Sequence, residues 1–265
     1  MIKIEHICKE FQSSDPNLPI NKVLKDITLT INDGDFITLI GSNGSGKSTL
    51  QNVISGAYKP TSGKIFFDEL DVTNLKEYKR AKYIGRVFQD PNVGTIGDIS
   101  IQENLALAFK RGDKRNLSWA LKDEYNEIYN KNLAPLNLGL ENRLTEKIST
   151  LSGGQRQSIT LLMAILKKPK LLLLDEHTAA LDPKTSKKIM GLTQTLVKEN
   201  HLTTLMITHN MRDALKYGNR LIMLSSGQVI ADISGEEKAK LTIDNLYDRF
   251  DAAEKDNVLS SDLID

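Results

Sequence analysis

Eight residues, Gly41-Ser42-Asn43-Gly44-Ser45-Gly46-Lys47-Ser48, run glycine, four residues, Gly-Lys-Ser, the pattern of a loop that wraps phosphates. Glycines let the backbone close on an anion, so that successive N–H groups and the start of the next helix point at it. The Lys47 ammonium then suits the β- and γ-phosphates of a nucleotide, and the Ser48 hydroxyl suits Mg²⁺. Such a pattern arises by chance in roughly one chain of this size in a hundred.

A second group of chemical residues ends the run Leu171-Leu172-Leu173-Leu174-Asp175-Glu176. A short apolar strand closing on two acids places both carboxylates at the C-terminal edge of a buried sheet, where α/β folds bind ligands. Asp175 is suited to holding Mg²⁺, and Glu176 to orienting and deprotonating the water that attacks the γ-phosphorus. A third group is Leu151-Ser152-Gly153-Gly154-Gln155, in which a hydroxyl and two glycines open a helix and form another place for an anion.

These residues need elements to hold them. Phe36-Ile37-Thr38-Leu39-Ile40 is a nearly continuous apolar run that feeds the first loop, and Leu50, Val53 and Ile54 recur at helical spacing behind it until Gly56, with Pro60 soon after. Ile27 to Ile31 alternates as a half-buried strand, and further strands are expected at Lys64–Asp68, Tyr83–Phe88, Leu171–Asp175, Thr203–Thr208, Arg220–Leu224 and Gln228–Ile233. From about Pro91 to Lys168 the period changes. Ile101, Leu105 and Ala108 share one helical face, as do Leu117, Leu121, Tyr125 and Ile128, so this stretch reads as a helical insertion. Asp182 is a candidate N-cap with Pro183 at the first helical position, before an apolar stripe of Ile189, Leu192, Leu196 and Val197. A last amphipathic helix carries Ile243, Leu246, Tyr247 and Phe250, and the tail Asp251 to Asp265 is expected to be loosely ordered.

Composition bounds the rest. The 265 residues are 40% hydrophobic and 26% charged, with 35 basic against 34 acidic side chains, which is an ordinary globular balance and excludes disorder, collagen and coiled coil. The even charge gives no case for a nucleic-acid partner, and none is expected. A single cysteine, Cys8, cannot form an intramolecular disulfide and reads as a small apolar residue on a strand in a reducing compartment. The apolar runs are far too short to span a bilayer, so any membrane role is expected to go through a partner.

With its motifs in this order, the chain resembles the ATP-binding cassette ATPases that energise ABC transporters, from Ile2 to about Ile233. The resemblance rests on the phosphate loop, the Leu151–Gln155 signature, the Asp175-Glu176 pair, Gln89 after Gly85-Arg86-Val87-Phe88, Asp182 in Ala179-Ala180-Leu181-Asp182, and His209 after Leu205-Met206-Ile207-Thr208. It implies an α/β fold: a P-loop NTPase (RecA-like) core, at about 1–90 and 169–235, with an antiparallel β subdomain, an inserted α-helical subdomain at about 91–168, and a C-terminal helix and tail at 236–265. The whole is one ATPase domain.

The resemblance also implies roles. Phe11 would stack on adenine; Gly41, Ser42, Asn43, Gly44, Ser45, Gly46, Lys47, Ser48 and Thr49 would hold the phosphates of ATP. Ser48, Gln89 and Asp175 would serve Mg²⁺; Glu176, Gln89, His209 and Lys47 would serve hydrolysis; and Ser152, Gly154, Gln155 and Asp182 would act at a nucleotide shared with a second subunit. It implies a homodimer of ATPase subunits that closes on ATP, a separate transmembrane permease, a substrate-binding protein, and a peripheral place on the cytoplasmic face of the membrane. His177 departs from the Pro or Ser found at that position in many relatives. With Gly94-Thr95-Ile96-Gly97-Asp98 and Glu103 to Ala108, it looks like the cassettes of bacterial amino-acid uptake systems, for substrates such as tryptophan or tyrosine. Two other readings compete. A ribosome- or DNA-acting ATPase would carry tandem cassettes or a coiled-coil insertion, and a non-hydrolysing regulatory subunit would lack some of Lys47, Asp175, Glu176 and His209.

Overall fold

Alternation of apolar residues sets the first strands of the computed structural model, which describes residues 1–12, 15, 19–113 and 123–261. In chain order these are β1 (Ile2–Phe11), β2 (Asn21–Ile31), β3 (Phe36–Gly41), helix α1 (Lys47–Ser55), β4 (Ser62–Phe67), β5 (Leu70–Asp71) and α2 (Glu77–Arg80). There follow β6 (Ile84–Val87), α3 (Ile101–Phe109), α4 (Asp123–Leu133), α5 (Gly153–Ile165), β7 (Leu171–Asp175) and α6 (Pro183–Glu199). The chain ends with β8 (Thr204–Ile207), α7 (Met211–Lys216), β9 (Arg220–Ser225), β10 (Gln228–Ser234), α8 (Gly235–Lys240) and α9 (Ile243–Ser261).

The chain divides into two compact units, Met1–Arg80 with Thr203–Asp265, and Ala81–Leu202. In the first, β1 pairs antiparallel with both β2 and β4, and β4 with β5, which is the expected antiparallel subdomain. β1 is absent from the strands that periodicity marks. Its alternation of Ile2 and Ile4 breaks at His6, where a φ of 52° and a register shift carry Ile7 back into the core. β3 is buried along its length and lies parallel between β8 and β9, with β10 antiparallel outside β9. A strand buried on both faces needs a nearly continuous apolar run, which Phe36 to Ile40 supplies, with the one hydroxyl, Thr38, donating to the Ala214 carbonyl oxygen at 3.0 Å. Beneath this sheet Ile40, Leu221, Met223, Ile233 and Leu246 form a core that anchors α9, with Phe250 packed against it.

From Asp251, where the sequence predicts a loose tail, α9 continues as helix to Ser261, its first turns anchored in the core by Leu246.

In the second unit, β6 and β7 pair in parallel. Helix α3 opens with a capping box, Ser100 Oγ accepting from the Glu103 N–H while the Glu103 carboxylate accepts from the Ser100 N–H. Tyr125 and Ile128 lie on α4 as expected; Leu117 and Leu121, placed on the same face from the sequence, fall outside the described residues. Asp182 caps α6 and Pro183 follows at its first position. Among the described residues, no helix is long and apolar enough to cross a membrane.

Candidate functional site

In the first unit, β3 ends at Gly41 and the chain turns through Gly44 (φ 80°) and Gly46 (φ 102°) into α1. Gly46 has two reasons to be glycine. Its backbone is left-handed, and a Cβ there would lie 2.8 Å from Leu24 Cδ2 and 3.0 Å from the Val23 carbonyl oxygen. α1 starts without any side-chain cap, so the N–H groups of its first turn face outward from the helix end. Lys47 lies nearly buried along the loop, its Nζ donating to the carbonyl oxygens of Gly41 at 2.8 Å and Ser42 at 2.9 Å. Ser42, Asn43, Gly44 and Ser48 are exposed, Thr49 is half-buried, and the buried Ser45 Oγ has no hydrogen-bond partner.

Two further residues join this unit's site. The parallel register pairing Leu39 with Ile207 carries exposed His209, just past β8, to the level of Gly41 at the same C-terminal sheet edge. Phe11 ends β1 with its ring edge-on to Tyr58, centroids 5.5 Å apart, and with Lys9 Nζ 4.7 Å from its centroid. Tyr58 was not found from the sequence. It follows the Gly56 cap of α1, and nothing local signals that it meets a strand end 47 positions earlier in the chain.

In the second unit, the register pairing Val87 with Leu174 puts Gln89 and Glu176 just beyond one sheet edge. Arg86 brings its guanidinium to 3.8 Å from Asp175 and over the Phe88 ring, a cation that sequence reading did not assign to the site. Glu176 turns with φ 45°, a left-handed conformation costly for a residue with a Cβ. His177 is buried, its Nε2 3.0 Å from Thr193 Oγ1, and burial pushes its pKa down to about 4, so the ring is neutral.

Ser152 and Gln155 form a second capping box at the start of α5. The Ser152 Oγ accepts from the Gln155 N–H at 3.3 Å, and Gln155 Oε1 accepts from the Ser152 N–H at 3.1 Å. At Gly154 a Cβ would fall 2.4 Å from the Thr185 Cγ2 methyl, so a larger residue there would force Thr185 to move. Asp182 Oδ1 accepts from the N–H groups of Lys184 and Thr185, both at 3.1 Å, and bonding to Thr185 holds its carboxyl below the usual aspartate value. The signature, Asp182 and the Glu176 turn are therefore built from one packed set of elements.

The groups of the first unit fit the phosphates of a nucleotide. The first loop offers an uncapped helix start, a lysine ammonium and a hydroxyl, the donor set for phosphates. No group of three or more His, Cys, Asp or Glu side chains suited to a metal occurs among the described residues.

The ABC transporter family profile matches residues 24–179. Over 253 residues the chain is 46% identical to the tyrosine transport ATP-binding protein of Clostridioides difficile (strain R20291), covering 96% of this chain and 100% of that one. It is 34% identical over 258 residues to the methionine import ATP-binding protein MetN of Streptococcus agalactiae serotype Ia, covering 92% of this chain and 68% of that one. The dimeric structure of a post-hydrolysis state of the ATP-binding cassette MJ0796 bound to ADP and Pi superposes with a TM-score of 0.74 at 31% identity, covering 88% of this chain and 98% of that one. Fold and site together define an ATP-binding cassette ATPase. The chain belongs to the ABC transporter family.

Proposed function

We propose that this chain is the ATP-hydrolysing subunit of an importer, that the cargo is an amino acid of the tyrosine class, and that the cargo crosses through a separate membrane permease. The observation that carries the reading is its 46% identity, over the full length of that relative, to a tyrosine transport ATP-binding protein. The chain sits peripherally on the cytoplasmic face of the membrane, works as a homodimer, and receives cargo through a substrate-binding protein. Residues 1–90 and 169–235 act as nucleotide-binding core, 91–168 as helical subdomain, and 236–265 as C-terminal helix and tail. Exposed Val93 and Ile96 supply apolar contact for the permease.

In this reading Phe11 stacks on adenine, and Gly41 to Thr49 hold the phosphates with Lys47 on the β- and γ-phosphates. Ser48, Gln89 and Asp175 would hold Mg²⁺, which would offset phosphate charge. Glu176 takes a proton from the attacking water, while Gln89 and His209 orient water and γ-phosphate. Ser152, Gly154, Gln155 and Asp182 act at the nucleotide held by the second subunit.

The test is to tag the chain in its native cell, extract membranes with mild detergent, and identify what co-purifies. Recovery of a polytopic permease, with ATP turnover stimulated by tyrosine or tryptophan in the reconstituted complex, is the expected result. Recovery only with ribosomes or nucleic acid would sink the transporter reading and leave the ATPase chemistry standing.

A further inference from the structure

The turn at Glu176 is held from behind. β7 is buried through Leu174, so Asp175 and Glu176 emerge from a fixed strand end. Glu176 then adopts its left-handed conformation, which persists only where neighbouring contacts over-determine it. Part of that restraint is the Ala179 N–H, which donates to the Glu176 carbonyl oxygen at 2.9 Å. A second restraint lies one residue on. His177 is 2% exposed and reaches Thr193, fully buried within α6.

The direction of that bond follows from counting protons. Thr193 has one hydroxyl hydrogen, and it goes to the Ile189 carbonyl oxygen at 2.9 Å. Thr193 Oγ1 can therefore only accept from His177, and the ring must carry its proton on Nε2. The result is a one-way relay, His177 Nε2–H to Thr193 Oγ1–H to Ile189 O, running into the helix that Asp182 caps. Proline or serine at position 177 could not make it, because neither side chain spans that distance with a ring donor.

We propose that His177 is a positioning residue for hydrolysis: anchored on Thr193, it fixes the left-handed turn at Glu176 and so sets where the Glu176 carboxylate points. The proposal rests on Glu176 being the base that activates water. A carboxylate displaced by even an ångström loses much of its rate while nucleotide binding, made by the phosphate loop, is untouched.

Steady-state ATP turnover of the full-length chain tests this with Thr193→Val, which keeps shape but removes both the acceptor for His177 and the donor to Ile189, and Thr193→Ser, which keeps the hydroxyl. Thr193→Val should lower kcat about ten-fold or more with KM for ATP within about two-fold of native; Thr193→Ser should keep most of the activity. Added to Glu176→Gln, Thr193→Val should cause no further loss, since the group it positions is gone. Should Thr193→Val not fold, as judged by its far-ultraviolet spectrum and melting, His177→Phe, which keeps a ring but has no donor, is measured in the same way and should show the same loss of kcat at unchanged KM. A folded Thr193→Val with native kcat, or losses of kcat and affinity in step for both Thr193 variants, would overturn the proposal. Near-native turnover by Glu176→Gln would overturn the assignment of the base, and the proposal with it, whatever Thr193→Val does.

Discussion

The side-chain amide of Gln157 donates to the carbonyl oxygen of Phe88 at 3.3 Å, tying the first turns of α5 to the residue that precedes Gln89. Arg156, its neighbour, bonds Asn92 and the Ile148 carbonyl oxygen, so adjacent residues of α5 hold the segment on which Gln89 stands. Gln157 is fully buried, and its Oε1 has no hydrogen-bond partner. The signature at the start of α5 and Gln89 are thus mechanically linked within one unit.

Gln157→Leu removes that donor while keeping the buried volume. It should destabilise the protein by about 1 to 2 kcal/mol, a fall of a few degrees in Tm, and lower ATP turnover without weakening nucleotide binding. Differential scanning calorimetry and turnover assays read both effects; a variant that melts with the native protein and turns over at the native rate would show that the link does nothing.

Gly46→Ala tests the phosphate loop. Alanine at φ 102°, with its Cβ 2.8 Å from Leu24 Cδ2, must shift the loop or strain it. ATP affinity should fall about five- to thirty-fold, if the roughly 1 to 2 kcal/mol that a left-handed alanine costs is borne by the bound loop. Isothermal titration with ATP measures it directly, and affinity equal to native would mean that the loop relaxes freely.

Arg80 is 1% exposed and donates to four carbonyl oxygens: Val53 at 2.8 Å, Ile54 at 2.7 Å, Thr73 at 2.9 Å and Leu75 at 3.1 Å. Two of these end α1, whose last carbonyls lack helical partners, so Arg80 closes the far end of the helix that opens at the phosphate loop. Burial pushes its pKa down to about 10, which leaves it a cation at neutral pH. Arg80→Met should cost about 3 to 5 kcal/mol in urea unfolding, because it strands buried acceptors. Arg80→Lys should recover only part, since an ammonium lacks the planar fork of donors.

Lys238 gives a pH signature. Its Nζ donates to the carbonyl oxygens of Tyr217 and Gly218, yet burial pushes its pKa down to about 8. In the unfolded chain the amine keeps its proton to about 10.4. Between those values the unfolded state holds more protons than the folded one, so this group makes stability rise with pH across that window. Lys238→Met lacks the rise. Urea midpoints compared between about pH 7 and about pH 10 should show the native protein gaining on the variant; a constant difference would contradict the depressed pKa.

Much of the site is written locally. The phosphate loop, the Asp175-Glu176 strand end, the Ser152 cap and the Asp182-Pro183 helix start each need only a few consecutive residues, and all four take the conformations that their residue types and spacing predict. Arg80 shows the limit. It sits among Glu77, Lys79 and Lys82, and reads as part of a solvated charged run. Only packing brings it to carbonyls 26 and 27 positions away.

His177 marks the same boundary beside the Asp175-Glu176 pair. The sequence shows it as a departure at a motif and determines nothing about its role, because its partner Thr193 lies 16 residues along the chain, two-thirds of the way through another helix. Gln157 and Phe88 are 69 apart, and Phe11 meets Tyr58 across 47. The sequence by itself determined the loop, the strand ends, the caps and the family, since those follow from backbone preferences over a few residues. The tertiary structure decided which side chains hold the motif residues from behind, because buried hydrogen bonds are chosen by what packing brings within about 3 Å, not by nearness in the chain.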